Sequence, residues 1–181
     1  MHAVAFSGLR ASAVGSFFCL KCLKRAQNGR YNSRMNDLCE AKIEEICASP
    51  YGYAIFVSAC DKTFVIYVDR ERGAAVKSAF EGRSAARPLT HEFVAQMLDG
   101  LECRVERVVI YDVCDGVFYT RMSVKMSNEL GEKLVEIDGR PSDTLSIALR
   151  VGAPVCVLSN ILDKLVDVSD ALKKIRGCGE V

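Results

Sequence analysis

Two short stretches of this chain crowd cations, hydroxyls and carboxylates together. One is Ala86-Arg-Pro-Leu-Thr-His-Glu-Phe93, the other Glu136-Ile-Asp-Gly-Arg-Pro-Ser-Asp143. Each has an Arg-Pro pair, a short hydroxyl residue, an acid and then an apolar helical rhythm. An arginine beside a helix N-terminus suits a phosphate, because the free backbone N–H groups and the guanidinium both favour an anion. Arg87 and Arg140 are therefore candidate substrate-binding residues, with Thr90 and Ser142 as their hydroxyl neighbours. Proline restricts Arg87 to extended backbone and aims it away from the helix that follows. His91 could act as a general base or acid, since imidazole titrates near neutrality. It could equally be a polar residue at a helix surface.

The acids of the second stretch add a further chemistry. Glu136 and Asp138 lie two apart on a strand and share the face opposite Val135 and Ile137. Asp143 falls in the first helical turn, where the dipole and unpaired N–H groups favour a carboxylate. Three acids so close in sequence could hold Mg²⁺ or Mn²⁺, which take oxygen ligands, or do acid–base work. They could also pair with Arg140 and Arg87 in a structural network, as arginine and carboxylate commonly do. Spacing alone leaves both open. Pro141 suits a first helical position, which makes Gly139 or Arg140 the cap; a later start would make Ser142 the cap.

The elements that must position these residues are mixed. Lys42–Ile46 reads as a short first strand. Tyr53–Cys60 and Thr63–Val68 form a hairpin, apolar on both faces as if buried in mid-sheet. A helix carrying Ala75, Val76, Ala79 and Phe80 ends at Gly82. A second helix, introduced by Pro88 and Thr90, puts Phe93, Val94, Met97 and Leu98 on one side and stops at Gly100. A strand over Arg104–Tyr111 turns at Cys114-Asp-Gly116 into an alternating strand, with Phe118, Thr120, Met122, Val124 and Met126 on one face. Lys133–Asp138 is another strand, Pro141–Val151 the third helix and Val155–Val157 a brief strand. Helical pieces at Ile161–Val166 and Ala171–Ile175 close the chain. The reading is an α+β domain with a mixed β-sheet packed by three main helices.

The chain has 181 residues, enough for one domain with a proper core plus a tail. Its 24 basic and 23 acidic residues leave a formal charge of +1. Residues 1–34 hold six of the basic residues and no acid, so the remainder has 18 against 23, a net of −5. A mildly acidic body excludes a broad basic face for nucleic acid, and contact with a polynucleotide must be local. The boundaries read as a basic tail over 1–34 (disordered or a misassigned start), a domain over 35–168 and a C-terminal helical tail over 169–181.

No apolar run is long enough to cross a bilayer as a helix. The nine cysteines are odd in number and irregularly spaced, and most central ones sit in apolar strands, where free thiols act as small hydrophobes. A reducing cytoplasm is the simplest compartment. Cys19 and Cys22 match a metal or redox pair but lack a second pair at finger spacing.

The motifs Arg87-Pro-Leu-Thr-His-Glu92, Asp115-Gly-Val-Phe-Tyr119, Glu136–Asp143 and Gly152-Ala-Pro-Val155, in this order, resemble the bifunctional nuclease domain family. The resemblance spans roughly Tyr53 to Leu165. It implies an α+β domain, self-association, and nuclease activity on DNA and RNA. With that activity, the residues read above make the expected site: Arg87, Thr90, Arg140 and Ser142 as substrate-binding residues, with His91, Glu136, Asp138 and Asp143 as catalytic ones. Two departures stand out. Gly139 replaces an alanine, and Arg72 stands where the family places a glutamate, with Glu71 one position early.

Overall fold

A computed structural model describes residues 37–129 and 131–177. The expectations for the basic tail, His2 and the Cys19–Cys22 pair lie outside the described residues. β1 (Leu38–Ser49), β2 (Gly52–Ala59) and β3 (Lys62–Val68) form one antiparallel meander, followed by α1 (Arg70–Phe80) and α2 (Thr90–Gly100). β4 (Cys103–Cys114), β5 (Val117–Asn128) and β6 (Gly131–Gly139) form a second meander, followed by α3 (Pro141–Val151). β7 (Val155–Leu158) then enters between the two, antiparallel to β1 and parallel to β4. The sheet order is β3-β2-β1-β7-β4-β5-β6. The short α4 (Ser159–Leu162) and the nine-residue α5 (Ser169–Gly177) complete the described chain. This is the expected α+β domain with a mixed sheet and three eleven-residue helices.

The core follows from the alternation of the strands and the stripe of α3. Val108 and Ile110 of β4, Met122 and Val124 of β5 and Val157 of β7 share one buried cluster with Leu145 and Ala148 of α3. The sheet coils on itself. Phe64 in β3 stacks on Phe118 in β5 with ring centroids 5.7 Å apart, although four strands lie between theirs in the sheet order. At the β4–β5 turn Asp115 and Gly116 both take positive φ, the geometry a tight two-residue hairpin requires.

Several expectations need correction. β1 runs for twelve residues, because a bulge between Ile43 and Glu45 breaks the alternation that would have revealed its length. β3 is an edge strand and not a mid-sheet one. Its second apolar face is covered by α5, whose Leu172 packs with Ala54, Phe56, Val65 and Val168. On α2 only Val94 and Leu98 pack against the core, whereas Phe93 and Met97 are exposed. Cys39 and Cys60 are not free thiols but form a disulfide, since the β1–β2 register brings the start of β1 beside the β2–β3 turn. Cys47 and Cys156 remain reduced, with thiol pKa values pushed up by burial, as small hydrophobes should be. None of the described helices is long and apolar enough to cross a membrane.

Candidate active site

α3 begins where β6 ends. Arg140 is its N-cap, with extended backbone, and Pro141 takes the first helical turn. The Arg140 carbonyl accepts the N–H groups of Asp143 and Thr144 at 3.0 and 3.1 Å. One turn on, Asp143 stands over the Arg140 side chain. Its Oδ2 accepts Nε at 2.7 Å and its Oδ1 accepts Nη2 at 3.3 Å, a forked pair.

α2 starts beside this turn. Leu89 is the N-cap, so Thr90, His91 and Glu92 fill the first helical positions. His91 Nε2 lies 3.3 Å from Asp143 Oδ1, and its side chain is 20% exposed. Glu92 turns the other way, into the protein. It accepts the Leu89 N–H at 2.7 Å and Arg150 Nη1 at 2.8 Å, and both side chains of that ion pair are 10% exposed. Arg150 also donates to the Arg83 carbonyl at 3.3 Å, while its Nε is buried without a partner. The last turn of α3 therefore fastens the start of α2, and His91 reaches the first turn of α3.

A third helix start contributes. Asp69 caps α1, accepting the Arg72 N–H at 2.9 Å and pairing with its guanidinium at 2.7 Å. Arg140 is held in its charged form first by the Asp143 hydrogen bond, and Asp69 adds to that hold. Burial works against the charge of Asp143, but hydrogen bonds from Arg140 and then His91 outweigh it and keep its carboxyl below the usual aspartate range. The result is an ionised carboxylate that holds an imidazole and a guanidinium together.

Beneath it lies a buried clamp. Thr120 on β5 donates to the Gly139 carbonyl at 2.6 Å, and Thr120 and Thr144 hydroxyls sit 2.8 Å apart. Thr144 also donates to the Arg140 carbonyl at 3.2 Å. A Cβ on residue 139 would come within 2.7 Å of Thr144 Cγ2, so glycine permits the close approach of strand end and helix start here.

The structure brings together His91, Arg140 and Asp143 of the residues singled out in the sequence. Arg87 and Thr90 are exposed just before and at the start of α2, and their side chains make no hydrogen bond or ion pair to another described residue. Ser142 is neither a cap nor at the surface; it is buried in the first turn of α3, at 3% exposure.

Glu136 and Asp138 do not join this group. Thr120 points toward α3, so its strand neighbour Arg121 points to the opposite face of the sheet. Asp138 is the cross-strand partner of Arg121 and Glu136 that of Ser123, so both acids share that opposite face. There Arg121 donates to Glu136 at 3.0 Å, Tyr111 donates to Asp138 at 2.7 Å, and the guanidinium covers the Tyr111 ring at 4.7 Å. Burial first, and then Asp138, raise the Tyr111 phenol above its ordinary pKa. This is a structural network with its own partners.

The three acids that spacing had grouped are thus separated by the sheet, and each is engaged. Among the described residues no group of three or more His, Cys, Asp or Glu side chains is placed to hold a metal ion. The donor set does not fit Mg²⁺ or Mn²⁺ as a shared ligand cluster.

A groove of about 510 Å³ lies elsewhere, at the C-terminal ends of α2 and α3. Asp99, Glu102 and Glu106 line it against one cation, Arg104, so its net charge disfavours an anionic substrate. Glu92, Arg150, Thr120 and Thr144 were the residues missed in the sequence. Glu92 stands at the third helical position behind an N-cap, where glutamate reaches back to the cap N–H, and that signal was available. The other three show their role only once the helices are packed.

The bifunctional nuclease domain matches residues 55–168 of the chain. Two relatives from Mycobacterium tuberculosis are each 29% identical to it over 102 residues: the uncharacterized protein MT1877 of strain CDC 1551 / Oshkosh and the uncharacterized protein Rv1829 of strain ATCC 25618 / H37Rv. The aligned region covers 56% of this chain and 58% of each relative.

Proposed function

Because the chain belongs to the bifunctional nuclease domain family, we propose that it cleaves phosphodiester bonds of nucleic acid at the joined starts of α2 and α3. The observation that carries this reading is the approach of His91 Nε2 to Asp143 Oδ1 at 3.3 Å, with Arg140 forked onto the same carboxylate. In this arrangement Arg140 clamps the phosphate, and Arg87 and Thr90 extend the contact along the strand. Asp143 fixes the ring of His91, which moves the proton. The test is cleavage of labelled single-stranded RNA and DNA by the full chain, with Mg²⁺, Mn²⁺ or EDTA, beside Asp143→Ala. Cleavage that disappears in the variant, while its melting curve stays cooperative, supports the proposal. Equal cleavage by both proteins points to a contaminant.

One observation favours a second reading. Arg72 stands where the resemblance places a glutamate, and it is tied to Asp69 beside Arg140. A more cationic mouth suits an anion-binding module without turnover. Binding of a nucleotide with no cleavage in any of the ion conditions would select that reading.

Self-association is the proposed assembly. Leu89, Phe93, Met97 and Leu101 form an exposed apolar stripe along α2, a costly feature for a monomer. Phe93→Glu should shift the mass measured by light scattering toward the monomer. The cytoplasm is the proposed compartment, supported by the reduced Cys47 and Cys156 and opposed by the Cys39–Cys60 bond.

A further inference from the structure

We infer that α2 docks antiparallel on the α2 of a second copy of this chain, and that this contact keeps His91 in the site, so cleavage depends on the pair. The inference rests on the nuclease reading above and names the regulation of its site. α1 and α3 are fixed from inside, by Gly73, Val76 and Ala79 in the first and by Leu145, Ile147 and Ala148 in the second. α2 has no buried apolar side chain, and Glu92 is its one buried residue. Half-buried Val94 and Leu98 join the Glu92–Arg150 pair in seating it. An eleven-residue helix is too short to stand alone in water, and an element with little buried apolar surface opens at low cost. His91 rides on the first turn of α2, so its 3.3 Å approach to Asp143 lasts only while the helix stays seated.

The outer face of α2 shows what seats it. Leu89, Phe93, Met97 and Leu101 recur at every fourth position and are all exposed. Gln96 and Gly100 beside them are exposed and uncharged. Glu92 is buried and Asp99 lines the acidic groove, so this face carries no charge. Such a face offers a charged partner nothing to hold, yet meets its own copy without like-charge repulsion. An antiparallel two-fold centred between Phe93 and Met97 sets Phe93 of each copy against Met97 of the other, with Leu89 opposite Leu101. A thioether against an aromatic ring is a favourable contact. The positive end of each helix dipole then lies beside the negative end of the other.

Area decides how tightly the copies hold. A stable interface buries about 800 Å² on each partner. One face of an eleven-residue helix falls short of that, so the pair forms and separates reversibly. The seated fraction of α2, and with it the cleavage rate, follows concentration by mass action.

The experiment uses the full chain, with labelled single-stranded RNA and DNA in Mg²⁺ or Mn²⁺, over a dilution series whose mass is followed by light scattering. Below the dissociation constant of the pair, each tenfold dilution should lower the rate per mole of chain about tenfold. Phe93→Glu and Met97→Lys, each melting cooperatively, should be monomeric and slow on their own. Mixed together they should pair and recover the rate, because the new carboxylate faces the new ammonium while the wild-type Phe93 and Met97 that remain face each other. A wild type that is monomeric throughout, or whose rate per mole is unchanged as it dissociates, overturns the inference and leaves the nuclease reading standing. So does a Phe93→Glu monomer that cuts at the wild-type rate, or a mixture that does not recover the rate. No cutting by any sample overturns both.

Discussion

The starts of α2 and α3 place the same three kinds of side chain in two registers. In α3 the arginine is the N-cap and the proline the first helical residue, so Arg140 lies over Asp143 and grips it. In α2 the Arg-Pro pair falls two positions earlier, outside the helix. Leu89 is the cap, and Arg87 stays exposed with no ion pair to another described residue. Both helices then carry an acid at the third position. Asp143 faces outward, to Arg140 and His91; Glu92 faces inward, to Arg150 and the Leu89 N–H. A carboxylate in a first helical turn is favourable in either direction, because the dipole and the free N–H groups are the same. What it does is set by the arginine it meets.

That comparison can be broken by substitution. Asp143→Asn keeps the shape and removes the charge that orients His91, so the cleavage rate should fall about 10²–10⁴-fold in a single-turnover assay. Arg150→Met should reverse the pattern. It strands the buried Glu92 carboxylate, so stability to urea falls further than for Asp143→Asn, while the rate per folded molecule falls less. If the two variants lose rate and stability in the same proportion, the two acids are not specialised.

The next effect is in pH. The Asp143 carboxyl is held below its ordinary value near 3.8, so its ionisation favours the folded state. The contribution is complete above that ordinary value and is lost as pH falls through the lower folded one. The stability difference between the wild type and Asp143→Asn should be constant from neutrality down to that value and shrink below it, as urea unfolding at a series of pH values would record. Arg87→Ala is the smallest change. An exposed arginine contributes about 0–1 kcal/mol, so KM should rise no more than about fivefold with the melting temperature unchanged.

Much of the frame was legible because local signals agreed. Pro141 and the stripe through Leu145 and Ala148 marked the start and the buried face of α3, and the structure adds its stop, Gly152 in the left-handed conformation. The strict alternation from Phe118 to Met126 gave β5 its two faces. The site was legible in its parts and not in its grouping. Glu136, Asp138 and Asp143 are close in sequence, yet the chain passes from strand to helix between them, and the sheet divides the first two from the third. His91 and Asp143 are 52 positions apart, and nothing in the spacing ties them. The apolar second face of β3 looked like mid-sheet burial because the covering helix, α5, comes more than a hundred residues later. The stripe on α2 read as core by periodicity alone, and Phe93 at 59% exposure shows that periodicity does not name the neighbour.

The central claim is that two helix starts act as one site. It is tested most directly by a double-mutant cycle on the cleavage rate with His91→Gln, Asp143→Asn and the double variant. If the pair works as a unit, the double variant is scarcely slower than either single one, since losing one partner already disables the other. If the two losses multiply, His91 and Asp143 act independently and the joined site is contradicted.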